Sequence, residues 1–314
     1  MLRSIFYFFE DIVSGDILEK NKHLKNIHQG KRCFVFCTGQ SVNNVQFSIL
    51  CNEHTFGGNY IFKHDEFHKL NLKHYVFLAH LSHLKELGLR SIYANPYIYS
   101  EDFILPWLQT QKHTLSFSSI PDILFKEIDV ALSNDTLLFL NSSTKKFLDR
   151  NNIFQNNRVY FLKTMFSYND DPRIDLSKRI TGNGVFFAMI CIAMYMGFKE
   201  LYIIGNDYTF EPAQQFHFCD SPVFSKRLSK ETAEDLINRI AIARDVEVYD
   251  IKEDEEFYKP VYVKYNSVPE EHLLIKDFAE SMGVKILNIV PNGFESPVYH
   301  GVSWRHVVEK VLNV

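Results

Sequence analysis

The sequence predicts an α/β fold, in which a mostly parallel sheet carries helices on both faces, and three observations support this. Short apolar runs such as residues 33–37 and 201–204 have the length and composition of inner strands. Helical patterns separate many of these runs. The apolar stretch of residues 184–198 has the length of a buried helix, and it leads directly into the second run. A buried helix followed by a fully apolar strand is typical of a parallel sheet covered on both faces.

Composition excludes several other classes of protein. Of the 314 residues, 46% are hydrophobic, so the chain can bury a large core and is not disordered, collagen-like or a coiled coil. A formal net charge of −4 gives no chain-wide attraction to nucleic acid, and we predict no such partner. The five cysteines are odd in number and include no C-x-x-C pair, which favours a reducing, cytoplasmic location.

The N-terminal residues have a different pattern from the rest. Residues 1–27 place apolar side chains at helical spacing, so we predict an amphipathic helical segment there. A single domain is then predicted over residues 28–314, with helical and loop additions at its C-terminal end. Two interpretations of the apolar stripe stay open. It packs on the protein's own core or a sister subunit, which is the commoner arrangement, or residues 1–25 make a peripheral contact with the inner membrane.

The remaining elements follow from short runs rich in apolar and β-branched residues, and from longer stretches with helical spacing. Further strands are predicted at residues 75–78, 91–94, 136–140, 159–162, 246–249 and 284–289. Helices are predicted at residues 227–243, at residues 270–282 and after Ser303. Gly197 suits the left-handed position that ends the buried helix.

Three polar, glycine-containing segments predict where a ligand binds. Residues 38–41 follow the first strand, residues 179–184 precede the buried helix, and residues 205–208 follow the next strand. Ligands of open parallel sheets collect at such positions, where glycines allow main-chain N–H groups to approach an anion and a helix N-terminus adds positive potential. We therefore expect a phosphate or carboxylate ligand. Neither G-x-G-x-x-G nor a P-loop occurs, which disfavours an NAD enzyme or a P-loop NTPase.

The combination of these segments is more specific than each alone. Residues 179–185 together with residues 196–208 resemble the central block of two related groups. One is the bacterial lipooligosaccharide sialyltransferases of glycosyltransferase family 42, and the other is the MptE-like group that contains the motility-associated (Maf) flagellin glycosyltransferases. Residues 36–42 resemble their G-x-G-P-S-L block, and Asn59 resembles the asparagine of their second strand. Scattered blocks over residues 30–293 share the resemblance.

The resemblance implies a Rossmann-like, GT-A-like variant of the predicted fold. It also implies a transferase that moves a nonulosonic acid, of the sialic, legionaminic or pseudaminic type, from a CMP-sugar donor to a surface glycan or protein acceptor. Inversion without a metal or other cofactor is expected, because fixed hydrogen-bond donors can stabilise a departing monophosphate. The donor-binding residues implied are Gly39, Gln40, Ser41, Asn59, Arg179, Thr181, Gly182, Asn183, Gly184 and Asn206.

The catalytic residues cannot all be carried over from the resemblance. Asn266 stands where those sialyltransferases have their catalytic histidine, and an amide cannot act as a base. His217 is the predicted substitute, because Maf-type proteins have a histidine at a similar distance after the residue that matches Asp207. Asp207 is expected to orient the nucleotide or the acceptor, and Tyr208 to contact the leaving phosphate.

Two alternatives remain open at this point. MptE-like proteins include pterin diphosphokinases that use ATP and magnesium, and loss of the base would leave a non-catalytic nucleotide-binding module. The histidine pairs at residues 64 and 68 and at residues 80 and 83 lack a third ligand, so we predict packing or surface roles for them and no metal site.

Overall fold

The structure is a computed structural model. It describes residues 17–78, 120–155, 158–165, 172–181, 184–206, 246–249, 262–265, 270–290 and 298–313. The predicted strand at residues 91–94 and the predicted helix at residues 227–243 lie outside these ranges.

Nine strands form one sheet in which every neighbouring pair is parallel. The strands are β1 Arg32–Phe36, β2 Thr55–Gly58, β3 His74–Phe77, β4 Leu137–Asn141, β5 Arg158–Met165, β6 Arg179–Thr181, β7 Glu200–Ile204, β10 Lys285–Ile289 and β11 His300–Val302. Their order across the sheet is β11-β10-β7-β1-β2-β3-β4-β5-β6. The predicted parallel α/β architecture is confirmed. All nine strands end at the same edge, which we call the carboxyl edge, and begin at the opposite amino edge.

The direction in which the chain adds strands to the sheet reverses at β1. From β1 the chain adds β2 to β6 on one side, and then returns to place β7 on the other side, followed by β10 and β11. The carboxyl ends of β1 and β7 therefore form the topological switch point, where loops leave in opposite directions and open a crevice. A separate antiparallel hairpin pairs β8 Val246–Tyr249 with β9 Tyr262–Tyr265, so the strand predicted at residues 246–249 lies outside the main sheet.

Helices cover both faces of the sheet, as predicted. The helices are α1 Phe67–Leu70, α2 Ile120–Ala131, α3 Lys145–Asn151, α4 Val185–Tyr195, α5 Glu270–Ser281 and α6 Trp304–His306. One buried cluster joins α4 and α5 to one face of the sheet, and a second joins α2, α3 and the turn that follows α6 to the other. Ser303 caps α6 by accepting from the main-chain N–H of His306.

Helix α4 is apolar along its whole length, and every residue from Phe187 to Tyr195 is buried. It ends at Tyr195, and Gly197 follows with φ +92°, the left-handed conformation that the sequence predicts there. No helix in the described ranges is both long enough and apolar enough to cross a bilayer.

In the described part of the N-terminal segment, the helix ends earlier than the sequence predicts. Residues 20–24 form a 3₁₀ helix, Lys20–Leu24, and residues 25–30 form turns instead of continuing it to residue 27. The turns are held by α4, since the main-chain N–H groups of Asn26 and His28 donate to the carbonyls of Tyr195 and Met196. Leu24 is buried in the core, whereas the residues of the predicted apolar stripe, 2–13, lie outside the described ranges.

Candidate functional site

The loops that follow β1 and β7 lie in contact at the switch point. The main-chain N–H of Cys37 donates to the Ile204 carbonyl at 2.7 Å, and that of Gly39 donates to the Gly205 carbonyl at 2.9 Å. Gly205 has φ +76°, and a Cβ there would lie 2.5 Å from Cγ2 of Val42 and 2.9 Å from the Cys37 carbonyl oxygen. Only glycine fits this close approach, which explains why a glycine follows β7.

The predicted residues of the first loop occupy this position. Gly39 precedes a 3₁₀ turn, Gln40–Asn44, and its carbonyl accepts from the main-chain N–H of Val42 at 3.2 Å. Ser41 lies in the same turn and is partly exposed. Gly39 is thus placed beside the end of β7, and Gln40 and Ser41 follow it in the turn; their role in donor binding stays a prediction.

Asn59 and Gly184 are brought together at the neighbouring strand end. A Cβ on Gly58 would lie 2.3 Å from Cγ1 of Val185, so β2 ends against the first turn of α4. Asn59 follows with φ +51°, and its carbonyl accepts from the Tyr75 hydroxyl at 2.5 Å. The first N–H groups of a helix lack partners within the helix and attract anions. The start of α4 and Asn59 therefore lie next to each other at the carboxyl edge.

Two asparagines at the ends of β7 and β10 add amides to this edge. Asn288 is 1% exposed, and its Nδ2 donates to the carbonyl of Asn206 at 3.3 Å. Nδ2 of Asn206 is buried and has no hydrogen-bond partner among the described residues. Because an unsatisfied buried N–H is costly, this donor suits an acceptor oxygen of a ligand. The sequence analysis missed Asn288, although a lone polar residue within an apolar strand is a usable signal.

Thr181 lies beside the middle of α4 and not at its N-terminus. Its carbonyl accepts from Sγ of Cys191 at 3.3 Å, and Cys191 is about 9 Å along the helix from Val185. The Thr181 hydroxyl accepts from the main-chain N–H of Arg173 at 2.8 Å. The predicted polar segment at residues 179–181 is in fact the edge strand β6, because it pairs with the end of β5. Its role in donor binding stays a prediction.

Arg179 faces a basic neighbour across this edge of the sheet. It pairs in register with Lys163 of β5, and Lys163 is 6% exposed. The remaining predicted site residues lie outside the described ranges: these are Gly182, Asn183, Asp207, Tyr208 and His217, and Asn266 lies outside them as well.

A histidine that the sequence analysis missed lies next to the start of α4. The ring of His272, in the first turns of α5, is 5.5 Å from that of Phe186 and 4.8 Å from that of Phe187. Its Nδ1 is 3.1 Å from the hydroxyl of Tyr299. Burial lowers the pKa of His272 to about 4, so the imidazole is neutral at pH 7. The spacing of His272 from Ile275 was the available signal, since it puts the imidazole on the buried side of α5.

No three histidine, cysteine or acidic side chains of the described residues are arranged to hold a metal ion. Of the pairs that the sequence singled out, the His64 ring stacks on that of Phe47 at 4.2 Å, and His68 is exposed. Residues 80 and 83 lie outside the described ranges.

No family profile and no curated protein matches this chain. Among solved structures, it is similar to the sialyltransferase CstII from Campylobacter jejuni in complex with cytidine-5'-monophosphate, at 14% identity and a TM-score of 0.37, over 87% of this chain and 85% of that one. It is also similar to the Maf glycosyltransferase from Magnetospirillum magneticum AMB-1, at 11% identity and a TM-score of 0.40, over 92% of this chain and 38% of that one. These are the two groups that the sequence motifs resemble.

Proposed function

We propose that the protein is a glycosyltransferase that moves a nonulosonic acid from a CMP-sugar to a hydroxyl of a surface glycan or protein. The observation that supports this most directly is the crevice at the switch point. There the first loop contacts the segment after β7, the end of β2 contacts the first turn of α4 on the neighbouring side of β1, and the amide N–H of Asn206 is buried. The sequence blocks that resemble the sialyltransferases include these same segments.

Each part of the proposed donor has a matching group. Gly39, Gln40, Ser41 and Asn59 would hold the nucleotide and its phosphate, with Asn206 beside them. The start of α4 at Gly184 would stabilise the phosphate as negative charge develops on it. In the proposal the residues that meet the donor's carboxylate and phosphate beyond this crevice are Arg179, Thr181, Gly182 and Asn183.

The proposed reaction is a direct displacement with inversion. The acceptor oxygen forms a bond to the anomeric carbon, while the bond from that carbon to the phosphate oxygen breaks and CMP leaves with the electron pair. The proton of the acceptor hydroxyl passes to a base. The sequence assigns that base to His217, with Asp207 as an orienting residue and Tyr208 at the leaving phosphate. No divalent ion is required.

A matched pair of asparagines tests the donor site. Asn59 and Asn71 have nearly the same left-handed backbone, with φ +51° and φ +50°, but Asn71 lies before β3, at the amino edge. Aspartate tolerates this conformation and adds a negative charge. We expect Asn59→Asp to weaken CMP binding about tenfold or more, because the new carboxylate repels the phosphate, and Asn71→Asp to leave it unchanged. Isothermal titration calorimetry measures both.

The same titrations separate the other candidates. CMP binding without magnesium supports the transferase, whereas ATP binding only with magnesium would support a pterin diphosphokinase and contradict the proposal. The amide at Asn266 favours one further candidate, a non-catalytic module. It would bind CMP yet release none from CMP-sugars with any acceptor. Thermal shift with a panel of CMP-sugars then identifies the donor, because a ligand of the folded state raises the apparent stability.

A further inference from the structure

A cavity of about 330 Å³ lies between β5, helix α3 and the N-terminal segment. This volume is at the lower end of the range for small-molecule sites, about 300–1,000 Å³. The cavity is separate from the crevice, because three strands lie between β5 and β1 and its residues belong to the buried cluster on the face opposite α4. Its apolar lining consists of Ile17, Leu148, Ile153, Phe154, Val159 and Phe161.

Two positively charged side chains also line the cavity, and both lie over one aromatic ring. Nζ of Lys20 is 5.7 Å from the centroid of the Phe161 ring, and Nζ of Lys145 is 5.8 Å from it. Burial lowers the pKa of Lys20, and the positive charge of Lys145 lowers it further. An anion that contacts both ammonium groups would offset this repulsion.

Both lysines have donors to offer such an anion, since an ammonium group carries three N–H donors. Among the described residues, Lys20 donates to the Val159 carbonyl at 2.5 Å, and Lys145 donates to Oδ2 of Asp149 at 2.6 Å. These contacts use one donor of each lysine. The Asp149 side chain is 59% exposed, so water weakens its attraction for Lys145.

The turn after α3 supports the apolar side of the cavity. Phe154 is 3% exposed and has φ +58°, a conformation that bulky residues rarely adopt. Its main-chain N–H donates to Oδ2 of Asp129, in α2, at 3.2 Å, and the Phe125 ring packs edge-on against its ring. The cavity therefore combines a fixed apolar lining with two cationic groups.

We propose that this cavity binds a small amphiphilic anion, with its apolar body among the buried side chains and a single carboxylate or phosphate head at Lys20 and Lys145. The apolar lining alone would accept a neutral molecule, and the two ammonium groups select the anion through charge-assisted hydrogen bonds. The volume suits a body no larger than a short acyl chain or one aromatic ring. The inference does not depend on the proposed function.

Isothermal titration calorimetry with octanoate tests the site, and octanol is its neutral counterpart with the same chain length. We expect octanoate to bind at one site per chain, and octanol to bind about tenfold more weakly, because its hydroxyl carries no charge for the ammonium groups. Octyl phosphate in the same titration distinguishes the two heads, since the tighter ligand identifies the head that the site prefers.

Substitutions locate the binding site. Lys20→Gln and Lys145→Gln should each weaken octanoate binding about tenfold, because each removes a charge-assisted hydrogen bond. Asp149→Asn should strengthen it about twofold to threefold, because a carboxylate that competes for Lys145 is lost. Lys22→Gln and Lys146→Gln, at exposed neighbouring lysines, are the matched controls and should bind octanoate as the wild type does.

Unchanged midpoints of urea unfolding in the variants show that they fold, so a loss of affinity is then a loss of contact. Equal affinities for octanoate and octanol, or wild-type affinity in both Lys20→Gln and Lys145→Gln, overturn this inference. A protein that binds neither octanoate nor octyl phosphate saturably also overturns it. These outcomes leave the proposed function standing, because that function depends on the crevice at the ends of β1 and β7.

Discussion

The two edges of the sheet hold polar side chains in opposite ways. At the amino edge the rings of His28, His54 and His74 cluster with that of Phe198, and the centroids of His28 and His54 are 4.2 Å apart. At the carboxyl edge, loops approach through glycines, and the buried N–H of Asn206 has no partner in the described part of the chain. One edge is filled by aromatic packing, while the other contains a buried donor whose acceptor is not among the described residues.

Because of this difference, substitutions at the two edges should have different effects. A substitution at the amino edge should change the free energy of unfolding and its pH dependence, because burial keeps its imidazoles neutral at acidic pH values where an exposed histidine is protonated. A substitution at the carboxyl edge should also change ligand binding. Three predictions test the comparison, from the largest expected effect to the smallest.

Gly205→Ala should have the largest effect on stability. The new Cβ would overlap Val42 and the Cys37 carbonyl, and the residue would keep a left-handed backbone, so we expect a loss of about 3 kcal/mol or more. Gly30→Ala is the control, because Gly30 has φ +78° but no atom within 4 Å of its Cβ position. It should lose about 1 kcal/mol, the cost of the conformation alone. Urea unfolding measures both, and equal losses would show that the two loops are not in close contact.

The histidine cluster should make the protein less stable in mild acid. Burial lowers the pKa of His74 to about 3 and that of His28 to about 4, and neighbouring imidazoles and the amines of Lys31 and Lys73 add to these shifts. The unfolded chain therefore takes up protons below about pH 6.5 that the folded protein does not. Stability is complete above that pH and declines as the pH falls towards 4 and 3.

His74→Asn tests this assignment, because asparagine can still donate to the Thr55 carbonyl but does not titrate. One proton fewer taken up on unfolding makes the loss of stability between pH 6.5 and pH 5 smaller by about 2 kcal/mol than in the wild type. His68→Asn, at an exposed histidine, should keep the wild-type pH dependence. Parallel curves for all three proteins would contradict the prediction.

Substitutions of two buried asparagines should have smaller effects and test the same comparison. Asn288→Leu removes the hydrogen bond to the Asn206 carbonyl and should weaken CMP binding about tenfold, equal to about 1.4 kcal/mol. Asn21→Leu removes hydrogen bonds to the carbonyls of Phe161 and Leu176, on the far side of the fold from the crevice. It should destabilise the protein by about 2 kcal/mol and leave CMP affinity unchanged. Calorimetry and urea unfolding together separate the two variants.

The sheet could be predicted because its signals are local. The apolar stretch that forms α4 and the strand that follows it, β7, carry helix, stop and strand signals in consecutive residues. By contrast, β6 and β11 are three residues each and become strands only by pairing with β5 and β10. No periodicity exists over so few residues, so their pairing could not be predicted.

The candidate site was predictable only in part, for a similar reason. Gly39, Asn59 and Gly184 belong to strand-end segments, and a parallel sheet gathers these at one edge. The place of Thr181 depends on a contact with Cys191, and that of His272 on packing between two helices far apart in sequence. Contacts of this kind follow from tertiary packing, and the spacing of residues along the sequence does not identify the partner in the contact.

The position of β1 between β2 and β7 also has a consequence for synthesis on the ribosome. The chain supplies β2 directly after β1, but β7 emerges only after β2 to β6 have been made. Until then β1 is an exposed edge strand with open N–H and C=O groups. The nascent half-sheet is thus a species prone to pairing with other chains, and the late arrival of β7 both removes that hazard and completes the crevice.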